Sequence, residues 1–73
     1  MIMENFKIML IEERDYLTKK VGDLDAFTKT DKFLEIDLEQ QFLISVQLDT
    51  MKAYYKVLIK RTRLMEIKNP KPN

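Results

Sequence analysis

The chain has no cysteine, no histidine and no tryptophan, and it spends only one glycine and two prolines over 73 residues. Without cysteine, neither a disulfide nor a thiolate zinc site can hold a small fold together. Without cysteine and histidine there is no thiol nucleophile, no serine–histidine relay and no imidazole ligand. So few glycines and prolines leave little material for tight turns, which excludes an all-β fold built from many hairpins. The longest uninterrupted apolar run is "IMLI" at residues 8–11, far short of a membrane span. No basic segment followed by a long apolar one opens the sequence, so no secretory signal is expected. The carboxylates do not form a DxD or ExxE cluster in a pocket-like context, and we expect no enzyme, no cofactor and no metal.

What remains suits amphipathic helices: 45% of the residues are apolar and 34% are charged. The net charge of +1 hides a gradient, because residues 1–27 and 28–40 each carry −2 and residues 41–73 carry +5. An acidic first helix beside a basic second one satisfies that pattern. The cations Lys52, Lys56, Lys60, Arg61 and Arg63 also set up a local field for an anion.

Met3, Leu10, Leu17 and Leu24 recur every seven residues, which predicts a first helix from about Glu4 to Phe27. Glu13 and Lys20 interrupt its stripe where a plain coiled coil would place apolar residues. Gly22 marks either a close approach of a second backbone or a weak stretch of helix. The segment "TKTDKFLEID", 28–37, reads as a loop with one helical turn at 32–35, anchored by Phe33, Leu34 and Ile36. Asp37 with Gln40 forms a capping-box pattern, so a second helix begins near Leu38 and runs to about Ile67. "NPKPN" then ends it, since proline cannot continue a helix. We therefore expect an all-α chain: a two-helix antiparallel hairpin over 1–67, with a short inter-helix loop and a disordered tail at 68–73. A single seam cannot cover all the apolar residues, which calls for a homo-oligomeric helical bundle.

On the second helix, Gln47, Tyr54 and Arg61 form a row at heptad spacing along the edge of an apolar seam. A tyrosine ring and a buried amide suit a subunit interface. Gln47, Leu48, Met51, Tyr54, Tyr55 and Leu58 are the expected interface residues.

The runs "EERDYLTKKVGDLDAF", "KFLEID" and "QFLISVQLDTMKAYYKVLIKR" resemble a family of short phage helical hairpins. Its second helix carries a pattern like L-x-x-Q-L-x-x-M-x-x-Y-x-x-x-L-x-x-R. The pattern falls here on Ile44, Gln47, Leu48, Met51, Tyr54, Leu58 and Arg61, and the first-helix pattern falls on Leu17, Leu24 and Phe27. The resemblance covers about residues 10–64. The family includes the anti-CBASS sponges, which sequester cyclic oligonucleotide immune signals, and a related hairpin occurs in an anti-Thoeris sponge.

The resemblance implies a compact hexamer that binds cyclic dinucleotides between subunits, and cyclic trinucleotides at separate sites, in the cytoplasm of an infected bacterial cell. It implies that Lys29, with Thr28 and Thr30, supplies the loop contacts, and that Arg61 closes the pocket. Arg14 falls where the pattern has a stacking aromatic, with Tyr16 nearby; a guanidinium plane can take that role. The leading expectation is a non-enzymatic sponge for cyclic nucleotides. A structural or protein-binding phage hairpin oligomer without a nucleotide ligand is the alternative. A membrane partner is not expected. A nucleic-acid binder is the least favoured class, since no aromatic–basic motif accompanies the modest charge.

Overall fold

A computed structural model describes residues 2–68, with the side chains of 5–65. Three helices follow in order: α1, Ile2–Phe27; α2, Asp31–Glu35; and α3, Leu38–Lys68. The two long helices pack as an antiparallel hairpin, in agreement with the all-α expectation. The hairpin measures 56 × 20 × 16 Å. The expected tail falls largely on residues 69–73, which lie outside the described residues, as does the side chain of Met3.

Hydroxyls and one amide make the connection between the helices. After Phe27 the Thr28 N–H still reaches the Leu24 carbonyl at 3.1 Å, while the Thr28 hydroxyl donates to the Asp25 carbonyl at 2.6 Å. Such short side chains compete for backbone partners and favour helix ends. Thr30 then caps α2, its hydroxyl accepting from the Phe33 N–H at 3.3 Å. Phe33 is buried and meets Phe27 edge-on, with ring centroids 5.8 Å apart. The side-chain amide of Gln41 donates to the carbonyls of Leu34 at 3.3 Å and Ile36 at 2.9 Å. The capping pattern pointed to Gln40. Gln41 is the amide that turns back, because the carbonyls left over at the end of α2 lie above its face of α3.

Leu10, Leu17 and Leu58 form the core, and Val21, Met51, Tyr55 and Met65 pack against it. The heptad line predicted for the first helix is thus the line that meets α3. Leu58 is fully enclosed at 0% exposure. Thr62 is also buried, and its hydroxyl reaches the carbonyls of Leu58 at 3.0 Å and Ile59 at 2.9 Å. A hydroxyl in that position costs little because it is hydrogen-bonded within its own helix.

Candidate functional site

The predicted loop residues gather at the tip of the hairpin. Lys29 Nζ stands 3.1 Å from Asp25 Oδ2, and Lys52 Nζ of α3 stands 3.6 Å from Asp25 Oδ1. The Lys29 ammonium, aided by Lys52, holds the Asp25 carboxyl below the usual carboxylate range. Two cations thus share one carboxylate, so this cluster of three charges is net positive within a connecting region, 28–40, that is acidic as a whole. Thr28 and Thr30 both commit their hydroxyl protons to main-chain carbonyls, of Asp25 and Phe27 respectively. Their oxygens remain acceptors, so a phosphate would meet them only after those protons turn outward. The sequence offered Lys52 only as one of five cations on the second helix; its pairing with Asp25 left no signal because it crosses from one helix to the other.

Arg61 lies near the opposite end. Its guanidinium sits over the Phe6 ring, 5.7 Å from the centroid, in a groove lined by Phe6, Met9, Leu10 and Glu13. At 1.5 Å per residue, Lys29 and Arg61 are roughly 30 Å apart along one hairpin. Arg14 is placed differently again. Its guanidinium bonds Asp15 Oδ1 at 3.1–3.2 Å, on the flank of the seam shared with Thr18 and Val21. Tyr16 is two residues on, which turns it to the Arg61 side; there Lys20 Nζ stands 5.6 Å from its ring centroid. One chain therefore does not bring Arg14, Lys29 and Arg61 together.

The expected interface residues also divide. Leu48 and Leu58 are buried within the single chain, and Met51 and Tyr55 pack against its core. Their apolar surface goes to the intramolecular seam, because antiparallel packing of α1 uses the same heptad line. Gln47 and Tyr54 remain exposed. The Gln47 amide reaches only the Met51 sulfur, at 3.8 Å, a weak acceptor.

Beyond Tyr54 the apolar surface continues. Leu43, Val57 and Leu64 are each about half exposed, on one α3 line at seven-residue spacing, and Met9 and Tyr16 flank it from α1. A groove of about 300 Å³ runs between Lys20, Asp23 and Phe27 on one helix and Gln47 and Met51 on the other. That is the low end for a small-molecule site, and it is open on the outer side. A larger hollow of about 650 Å³ lies on the outside of α3, lined by residues such as Lys56, Lys60 and Arg63. It has one helix for a wall, so it offers charge without enclosure. Among the described residues no group of three or more acidic side chains is placed to hold a metal ion, and no helix is long and apolar enough to cross a membrane.

A family model described as Sequestin matches residues 4–64, most of the chain. No curated protein and no solved structure matches it.

Proposed function

The chain belongs to the Sequestin family, and from that premise we propose that it captures cyclic oligonucleotide immune signals and holds them without cleaving them. Sequestration is what the family's name denotes, and a binding protein fits that name better than an enzyme does. Cyclic dinucleotides are the first ligand class and cyclic trinucleotides the second. The setting is the cytoplasm of an infected bacterial cell, where such signals are made.

The observation that carries this reading is the family match over residues 4–64, supported by the Lys29 and Lys52 ammoniums that converge on Asp25. A cyclic dinucleotide presents two phosphates and two flat bases. Phosphates call for charge-assisted donors, which Lys29, Lys52 and Arg61 can supply. Bases call for flat partners, and Tyr16, Phe6 and the Arg14 guanidinium are available.

Enclosure has to come from more than one chain. Arg14, the Lys29–Lys52 pair and Arg61 are dispersed along the hairpin, and each groove has an open side. A homo-oligomer, with the hexamer as the expected form, would supply the missing walls. The exposed apolar lines on α3 also favour a second reading, an assembly of hairpins with no nucleotide bound.

Titration calorimetry with a panel of cyclic dinucleotides and trinucleotides tests the proposal. Saturable binding of at least one member supports capture. Flat heats across the panel, from protein that is helical and assembled, would leave the structural reading in its place.

A further inference from the structure

The outer side of α3 divides into two halves of opposite character. In the first half Leu38, Phe42 and Val46 are exposed among the carboxylates of Asp37, Glu39 and Asp49. The second half is basic. Between Asp49 and Glu66 the helix carries five cations and no carboxylate. Arg61 is one of the five, and it turns toward Phe6 of α1. Lys52, Lys56, Lys60 and Arg63 follow one another at steps of four, four and three residues, which places them along one flank. At 1.5 Å per residue this ridge is roughly 16 Å long. Lys56, Lys60 and Arg63 are exposed and border the same outer hollow. Arg14, Lys19 and Lys29 each hold an aspartate of α1 at 2.8–3.1 Å. Among the described residues no carboxylate stands within 4.0 Å of Lys56, Lys60 or Arg63.

We propose that this ridge binds the phosphate backbone of a nucleic-acid duplex, without regard to sequence, as an activity separate from capture. A face with one helix for a wall cannot enclose a small anion. A duplex needs no enclosure, because it brings an extended row of charge, one per about 1.7 Å of its axis. An α-helix with its side chains is about 10–12 Å across, and the major groove is about 12 Å wide. The outer side of α3 is thus of a size to lie along that groove, with its cations beside the flanking phosphates. No ion pair has to break first at Lys56, Lys60 or Arg63, in contrast to Lys29.

Other polyanions fit less well. A single strand asks for exposed rings on which bases stack, and Tyr55, the aromatic that borders the hollow, packs against the core. The aromatic–basic motif missing from the sequence is a need of single-strand binding, and a duplex held by its phosphates does not require it. Of the residues around the hollow, Val57 alone is both apolar and exposed. That is too little for the apolar centre of a protein interface or for insertion into a bilayer. The larger apolar side chains lie in the other half of the helix, beside carboxylates that an anionic membrane repels.

Fluorescence anisotropy of the full chain with a short labelled DNA duplex, over a salt series, tests the ridge. Dissociation constants of about 10⁻⁴–10⁻⁶ M at physiological salt are expected, equal for AT-rich and GC-rich duplexes. Lys56→Ala, Lys60→Ala and Arg63→Ala should each flatten the log–log salt slope by about one per bound chain. The triple variant, with helix content confirmed by circular dichroism, should bind about tenfold or more weakly. Lys60→Arg should bind like the parent, and so should Lys19→Ala, whose ammonium is paired with Asp23 on α1. Absence of binding at about 50 mM salt, or a slope unchanged in the triple variant, would overturn the proposal. Tighter binding to a single strand, to polyglutamate of equal charge or to phosphatidylserine vesicles would overturn it too, by giving the ridge another partner. Calorimetry of the triple variant with the cyclic nucleotide panel keeps the two activities apart. Parent-like heats, whether saturable or flat, support a separate duplex site; heats lost only in the variant would place the ridge in the capture site and overturn the separation.

Discussion

The Lys29 ammonium is held by the Asp25 carboxylate, one helical turn earlier, at 3.1 Å. The cation that the sequence offers to a phosphate is therefore already paired in the free chain. Capture at the proposed loop site would exchange one anion for another, with Lys52, 3.6 Å from the same carboxylate, left to pair with Asp25.

Asp25 should impose a pH dependence on folding. Its carboxyl is held below the ordinary range by Lys29 first and Lys52 second. A lowered folded-state pKa stabilises above the unfolded value and is lost as pH falls through the folded one. The parent should therefore exceed Asp25→Asn in stability near neutrality, and the gap should close below about pH 4. Urea melts at several pH values check this. The effect should be small, because the pair is solvated. A gap that stays constant down to pH 2 would assign it to something other than the charge.

The seam has a sharper dependence. Leu58 is completely enclosed, and Leu58→Ala should cost about 2–5 kcal/mol. Met51→Asp places a charge against the Leu10–Leu17–Leu58 cluster without a partner. It should unfold or dissociate the protein, as read by circular dichroism and light scattering. Near-native melting of either variant would mean that α1 and α3 meet along a different line.

How far could these contacts be read beforehand? The heptad lines carried the helices well: Glu4–Phe27 was expected and Ile2–Phe27 is found, and the start at Leu38 agrees. A seven-residue period marks which side chains share a face, and burial follows from that. It does not say which partner covers the face. Leu48 and Leu58 were assigned to a neighbouring subunit and are already buried within the single chain, Leu58 against Leu10 and Leu17 of α1. Nor does spacing within one helix relate it to the flank of another, so the separation of Arg14 from Arg61 within one chain could not be read from it. The Asp25–Lys52 pair bridges 27 positions of sequence and left no local signal.

Gly22 provides a further check. A methyl group at this position would meet nothing within 4 Å, so the single hairpin gives no close backbone approach there. Gly22→Ala should stabilise the fold by about 0.5–1 kcal/mol through helix propensity alone. Thermal melts at one fixed protein concentration measure it. A loss of stability would show that another chain closes over Gly22.

At the proposed site, Lys29→Glu should abolish capture while leaving helix content unchanged, since it sets a negative charge beside phosphate. Arg61→Ala should weaken capture by about 1.5–3 kcal/mol, the range for a hydrogen bond to a charged group. Calorimetry with the best ligand of the panel reads both. If Lys29→Glu binds as tightly as the parent, the pocket is not at this loop.

The central claim is capture without cleavage, and one measurement bears on it most directly. The protein is incubated with each cyclic dinucleotide and trinucleotide, freed of unbound ligand by gel filtration, and denatured by heat. The released material is then identified by mass. Intact cyclic nucleotide, recovered in a fixed ratio to protein, is the predicted result. Recovery of linear products would contradict capture without cleavage, and recovery of no nucleotide from well-folded protein would contradict capture itself.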